Sequence, residues 1–504
     1  VFAALCVAIG AVPASAAEAP PSIVTPAAVG AAWTADEIAN LRADLDGVLD
    51  AAPSIAHAHV GMLAIDTANG AVLYERHADD DFQPASTLKL VVGSAALDLL
   101  GPRFRFHTTL ALAGVGPPGS VPSLVLKMAG DPTFASSDLA AGVASLDVNA
   151  VGSVYVDDTA FDAAPYPAGW TWDDFAQDYA PNVSAATLDE NVVTLRVTPG
   201  AKEGDPASIS FADGRRMMTP LEECRAMDAN AVLVVDRART GAAGSEDTID
   251  VARTVLGCPS VIGSIPLGNA PEEIGAAVYS PLVAVDDALV RALAARKITH
   301  ASFTGGPSTI DAALRPPPFS VPPRVVWTHD SPPLAETIGP RFWIPSDNLF
   351  GELLLKELGR NATGAQGSTG NGILTERSWL QTIGVDPATA TLADGCGMSQ
   401  YDRITPRDLV TILQHDWNGP NRQLVLDSLP IGGVRGTIEG VMGPAAGRVF
   451  AKTGSMMHVR GLAGYLATKK HGAVTFAFEV DDWLGDYPSL AATRAAVLAR
   501  LVRN

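Results

Sequence analysis

Apolar residues recur at helical spacing over 34–49, with Asp36 and Glu37 in the first turn, so this stretch is expected to form an amphipathic helix. Two apolar runs follow at 60–65 and 72–74, flanking Asp66-Thr67-Ala68-Asn69-Gly70. Asn-Gly between apolar runs predicts a hairpin of two antiparallel strands. Over 86–100 the chain is apolar nearly all round and stops at Gly101, the pattern of a helix enclosed by a domain. Near the other end, 448–453, 461–467 and 474–480 read as strands and 488–502 as a helix with an Ala/Leu face. Helix, hairpin and buried helix at the start, with three strands and a helix at the close, predict one α+β domain assembled from 18–101 and 322–504. The middle, 102–321, has short strands, Asp/Gly/Pro turns, a helix at 285–297 and a Pro-rich exit at Arg315-Pro316-Pro317-Pro318. It reads as an inserted region of one or two mostly β domains, with a smaller unit nested at about 192–258.

Length agrees with that division, since 504 residues exceed what one hydrophobic core usually serves. The formal charge of −20, without any basic tract, argues against nucleic acid, whose phosphates need clustered Lys and Arg. Residues 1–12 are almost unbrokenly apolar and lead into Ala14-Ser15-Ala16, the small-x-small pattern of signal peptidase cleavage. A signal peptide over 1–17 is therefore expected, with an exported, periplasmic or extracellular product and no stable membrane insertion after cleavage. Cys6 lies inside the apolar run, and no Cys-x-x-Cys or His spacing points to a metal site, so neither metal nor cofactor is expected. Cys224 and Cys258 are close enough in sequence for a disulfide and equally readable as two buried thiols, which leaves Cys396 over.

Chemistry enters with Pro84-Ala85-Ser86-Thr87-Leu88-Lys89, at the start of the predicted buried helix. Ser86 and Lys89, three positions apart, share one helical face, so hydroxyl and amine can meet. A serine hydroxyl becomes a useful nucleophile when a base takes its proton, and a desolvated neutral lysine is such a base. Alone, the signal is weak, since such a pair is far more often a capped helix with a solvated lysine. Ser346-Asp347-Asn348 reads alone as the N-cap cluster of a helix continuing to 358. Lys452-Thr453-Gly454-Ser455 closes a strand, where glycine admits another backbone and the strand edge offers N–H groups to a substrate. In this order the three match the Ser-x-x-Lys, Ser-x-Asn and Lys-Thr-Gly set of serine β-lactamases and penicillin-binding proteins.

Further segments carry a closer resemblance: Gly130-Asp131-Pro132-Thr133, Trp170-Thr171-Trp172-Asp173-Asp174, Ser331-Pro332-Pro333-Leu334, Asp394-Gly395-Cys396-Gly397-Met398-Ser399 and Thr405-Pro406. With them the chain resembles the D-alanyl-D-alanine carboxypeptidase/endopeptidase family of class C low-molecular-mass penicillin-binding proteins. The resemblance implies a β-lactamase/transpeptidase-like domain interrupted by further domains, a cell-wall location, and peptidoglycan peptides and β-lactam antibiotics as partners. It also implies roles. Ser86 would attack the carbonyl of the penultimate D-Ala with Lys89 as base, and Ser346 and Lys452 would relay a proton to the leaving amine. Asn348 would hold the substrate backbone, the amides of Ser86 and Ser455 would form the oxyanion hole, and Thr453, Gly454 and Ser455 would bind the terminal carboxylate.

In relatives an acidic residue of the Trp-rich segment accepts a diaminopimelate side-chain amine; Asp174, with Tyr179 and Met456 near it, is the candidate here, and Asp173 the second. Where the family commonly reads Asp-Gly-Ser-Gly-Leu-Ser-Arg, this chain has Cys396, Met398 and Gln400, so a cation is expected to be missing beside the pocket. A β-lactamase or small-ester hydrolase on the same scaffold, and a silent wall-binding protein, are the other readings. Intact Ser86, Lys89, Ser346, Asn348 and Lys452 argue against the last.

Overall fold

A computed structural model describes residues 21–212, 238–253, 259–278, 280–300, 322–440 and 442–503. The expected signal peptide and the cysteines Cys224 and Cys258 lie outside the described residues.

The principal sheet is antiparallel, in the order Val449–Met456, Val459–Ala467, Ala473–Asp481, His59–Asp66, Val72–Arg76. Both ends of the chain thus meet in its middle, where Gly61 faces Glu479 and Leu63 faces Ala477. Successive residues of a strand point to opposite faces, so each strand feeds two cores. Leu63, Ile65, Tyr465 and Ala477 pack with the helices on one side. Met62, Ala64, Leu462, Phe476 and Phe478 pack on the other. That is why these strands are apolar nearly throughout.

The outer layer includes the helix Ala35–Asp50, which buries Leu41, Leu45 and Leu49, four apart on one face. Thr34 caps it: its hydroxyl accepts the Glu37 N–H, and the Glu37 carboxylate accepts the Thr34 N–H. The helix Tyr487–Arg503 packs beside it. The hairpin turns as Asn69-Gly70 suggested, with Gly70 at φ 74 donating to the Asp66 carbonyl at 2.8 Å.

The inner layer holds the buried stretch predicted at 86–100, which divides into a 3-10 turn, Ala85–Leu88, and an α-helix, Lys89–Leu99. The first turn is tighter than expected because the Thr87 hydroxyl donates back to the Pro84 carbonyl at 2.7 Å and Ala85 enters with φ 44. Gly101, at φ 87, ends the helix as expected.

Within the insertion a mixed five-stranded sheet runs Thr299–His300, Ala150–Asp157, Ser120–Lys127, His107–Ala113, Arg324–Asp330. Arg324–Asp330 extends that sheet past residue 321. The helices Ser136–Ala144 and Pro281–Ala295 share its core; the second starts earlier than periodicity suggested because Ser280 caps it and Pro281 occupies the first position. The strands Glu272–Ala277, Val192–Thr198 and Ser208–Phe211 form a separate small sheet around Leu195, Val197, Val251 and Ile265. No described helix is long and apolar enough to cross a membrane.

Candidate active site

The 3-10 turn presents Ser86 half-buried at the end of the nucleophile helix, while Lys89 is fully enclosed. Lys89 Nζ lies 2.8 Å from Ser86 Oγ, 2.6 Å from Asn348 Oδ1 and 2.8 Å from the Cys396 carbonyl oxygen. Burial lowers the Lys89 pKa, against the pull of the Cys396, Asp394, Asp347 and Glu352 groups around it. The amine is thereby moved toward the neutral form a base requires.

Ser346 stands just ahead of the helix Asn348–Thr363, at φ 66, and the Asp347 carboxylate caps that helix by accepting the Phe350 N–H at 2.6 Å. The helix outruns the expected residue 358 and ends at Gly364, φ 68, whose N–H reaches the Arg360 carbonyl. Ser346 Oγ is 2.8 Å from Lys452 Nζ. Burial, and then the neighbouring Lys89, push the Lys452 pKa well down. Two ammonium ions in one dry site repel each other, so both amines are moved toward the neutral form.

The Lys-Thr-Gly strand is the edge of the principal sheet. Its first part is bridged by Ile431, and the segment from Lys452 to Met456 runs on past the bridge. A Cβ on Gly454 would lie 2.3 Å from the Pro84 carbonyl oxygen, so glycine lets the strand press against the nucleophile turn. Thr453 donates to the Thr437 hydroxyl at 2.8 Å, a partner that sequence alone does not suggest. Ser455 is exposed beyond it, and the Arg460 guanidinium donates to the Met456 carbonyl.

Beneath these groups runs the Asp394–Ser399 loop. Asp394 is fully buried and its carboxylate accepts four N–H groups: Cys396 at 3.1 Å, Gly397 at 2.6 Å, Ser399 at 2.7 Å and the Trp170 indole at 2.8 Å. The loop so held aims the Cys396 carbonyl at Lys89. Gly397, at φ 84, abuts the Ala85 carbonyl, where a Cβ would stand at 1.8 Å. From the adjoining helix, Glu352 Oε1 accepts the Gly395 N–H at 2.8 Å. In the sequence this loop stands out only through the family resemblance, and Glu352 does not stand out at all.

The Trp-rich segment of the insertion forms the facing wall. Asp174 Oδ1 accepts from the Tyr179 hydroxyl at 2.8 Å and Oδ2 from the Thr171 hydroxyl at 2.5 Å. The Tyr179 carbonyl accepts from Asn348 Nδ2 at 2.7 Å, which ties Asp174 through Tyr179 to the cluster of Ser86, Lys89 and Asn348. Asp173 is exposed beside it. Gln400, also exposed, accepts from the Gln83 side chain at 2.9 Å and so fastens the loop to the segment leading into Ser86. Two clusters of metal-ligand-type side chains occur among the described residues: Glu352, Asp394 and Cys396 under Lys89, and His59, His77 and Asp80 at the outer end of the hairpin.

This arrangement can do acyl transfer: a hydroxyl beside a buried amine, a second hydroxyl–amine pair, and an edge strand for a peptide. Comparison with known proteins agrees. A D-alanyl-D-alanine carboxypeptidase of Actinomadura sp. (strain R39) is 32% identical over 486 residues, covering 92% of this chain and 85% of that protein. D-alanyl-D-alanine carboxypeptidase DacB of Haemophilus influenzae is 23% identical over 456 residues, 88% of this chain and 90% of that one. In fold, penicillin binding protein 4 (dacB) from Haemophilus influenzae superposes with a TM-score of 0.74 at 22% identity, over 92% of this chain and 98% of the other. The model of the D-Ala-D-Ala carboxypeptidase 3 (S13) family matches residues 41–501. The chain therefore belongs to the D-Ala-D-Ala carboxypeptidase 3 (S13) family, and by that membership it is a serine-type D-alanyl-D-alanine carboxypeptidase.

Proposed function

We propose that the chain removes the terminal D-Ala from peptidoglycan stem peptides outside the cytoplasm, through an acyl-enzyme on Ser86. The observation that carries this reading is the 2.8 Å approach of a fully enclosed Lys89 amine to Ser86 Oγ. Neutral Lys89 takes the hydroxyl proton as Oγ attacks the carbonyl of the penultimate D-Ala. The peptide would lie extended against the edge strand, with the Ser86 and Ser455 amides facing the developing oxyanion and Thr453 and Ser455 the terminal carboxylate. Collapse breaks the peptide bond, and the departing amine takes the proton that Lys89 accepted, relayed through Lys452 and Ser346, which leaves Lys89 neutral once more. Water then attacks the ester, with Lys89 again as base, and frees Ser86. A β-lactam, whose strained amide occupies the same place, should acylate the same oxygen.

The division into a catalytic unit and an insertion belongs to the same proposal, with Arg324–Asp330 on the insertion's side. Intact-protein mass spectrometry tests it: benzylpenicillin should add one equivalent on Ser86, and folded Ser86→Ala should add none. Labelling of any other residue would reject the mechanism. Rapid loss of the adduct would favour a β-lactamase; a diaminopimelate-containing pentapeptide shortened by one D-Ala supports the carboxypeptidase.

A further inference from the structure

Behind Lys89 lies a cluster of acids that the proposed chemistry does not use. Glu352 sits one helical turn beyond Asn348 and is fully buried. One of its oxygens holds the Gly395 N–H, and the other, Oε2, has no N–H or O–H donor among the described residues, the Cys396 thiol being the weak side-chain donor beside this carboxyl. Around it stand Asp394 and Cys396 from the loop, Glu376 from the helix Thr369–Thr382, Asp402, Lys356 one turn further along its own helix, and Lys89. Glu376 Oε1 is likewise buried without a partner among the described residues, and the Asp402 side chain hydrogen-bonds the Asp394 carboxyl.

The four N–H groups converging on Asp394 make it the acid suited to carry a charge. Glu352 is not. A carboxylate oxygen with no donor stronger than a thiol in a dry interior is costly, and a second anion beside Asp394 adds repulsion. The cations near it among the described residues are lysines, and Lys356 is already bound to Asp162 Oδ1 at 2.7 Å and the Ala164 carbonyl at 2.9 Å. If Glu352 were an anion, the charge it would favour nearby is an ammonium on Lys89, which is the form that cannot act as base. Burial and the Asp394 charge push the Glu352 pKa up to about 8, in the same direction.

Geometry gives Glu352 a second link to Lys89. The Gly395 amide that it holds adjoins Cys396, whose carbonyl receives Lys89 Nζ. Gly351 and Gly395 pack backbone to backbone, a Cβ on Gly395 lying 2.7 Å from the Gly351 carbonyl oxygen, so the loop has no slack against this helix.

We propose that Glu352 is a positioning residue that works as a neutral carboxylic acid, seating the loop from the Gly395 N–H to the Cys396 carbonyl under Lys89 without placing a second negative charge behind the base. The proposal rests on Lys89 being the base for Ser86, which Lys89→Ala tests separately: a variant that still acylates at the normal rate would remove that premise.

The measurement is the rate of acylation by benzylpenicillin from pH 5 to 9, whose acid limb reports Lys89 losing its proton. Glu352→Leu, which cannot accept from Gly395, should acylate roughly tenfold more slowly, the scale of one buried hydrogen bond, and its acid limb should move. Glu352→Gln keeps the acceptor and the neutrality, so it should restore both rate and limb to those of the unaltered enzyme. A Leu variant that melts lower yet keeps rate and limb would reduce Glu352 to packing. A Gln variant whose acid limb falls by about one pH unit or more would show that Glu352 works as an anion, since removing a neighbouring negative charge lowers a lysine pKa. Either result overturns the proposal, and if Glu352→Leu does not fold, the Gln arm decides alone.

Discussion

Gly454 is where one missing methyl group matters most. The carbonyl of Pro84 occupies the space a Cβ would need, at 2.3 Å, and both partners are backbone, so neither can swing away. Gly454→Ala should displace the edge strand from the nucleophile turn and slow benzylpenicillin acylation at least tenfold; unchanged acylation would mean the contact is slack. Asp174 is a different case, because its two oxygens already accept from Tyr179 and Thr171. A carboxylate has room for two further donors, so a substrate ammonium can still be received. Such a bond is worth about 1.5–3 kcal/mol, or roughly ten- to hundredfold in kcat/KM. Asp174→Asn is expected to weaken hydrolysis of a peptide ending in a free side-chain amine by that factor and to leave acylation by penicillin, which has no such amine, nearly unchanged. Equal losses in both reactions, with a lower Tm, would assign Asp174 to holding Tyr179 alone.

Elements differ in how far their sequence announces them. The cap at Thr34, the Asn69-Gly70 turn and the apolar strands of the principal sheet are local codes, legible in the order of residues alone. So are the three motifs, whose residues lie within hydrogen-bonding distance of one another. The floor of the site is not legible in this way. By spacing alone, Glu352 and Lys356 are an i, i+4 pair on the polar face of a helix, ordinarily solvated. They are buried because the insertion lays Asp162 and Ala164 over Lys356 and the Asp394 loop covers Glu352, contacts made from segments far away in sequence. The Trp-rich segment makes a similar reach: Trp170 donates to Asp394, and Arg253 of a small-unit strand donates to the Phe175 carbonyl and the Tyr166 hydroxyl behind it. The insertion is thus a buttress for the loop under Lys89. Trp170→Phe keeps an aromatic ring and removes the donor, a loss of about 1.5–3 kcal/mol for a bond to a charged group. It should lower both Tm and the acylation rate; a change in Tm alone would uncouple the buttress from catalysis.

At the scale of the whole molecule, several buried acids keep their protons in the folded state. Burial pushes Glu352 and Asp416 up to about 8, and Glu376, Asp402 and Glu479 well above the carboxylate range. In the unfolded chain they would ionise near pH 4, so between that pH and their folded values the native state binds more protons and stability falls as pH rises. Lys89 and Lys452, with lowered pKa values, act in the opposite sense, but the raised acids, Asp347 and Asp286 at about 6 among them, outnumber them. Tm should therefore be several degrees higher at pH 5.5 than at pH 8, and Asp416→Asn should flatten the difference; a higher Tm at pH 8 would contradict the assignment. The principal sheet carries one more consequence, about time. Thr67 and Thr475, 408 positions apart, share a buried 2.8 Å hydrogen bond, and the strand His59–Asp66, which precedes Ser86, pairs with Ala473–Asp481, which follows the Lys-Thr-Gly strand. A ribosome makes the nucleophile early and the Lys-Thr-Gly strand late. Until that strand is made, Gly454 cannot close on Pro84 nor Lys452 meet Ser346, so the two contacts that join the edge strand to the site are among the late ones to form.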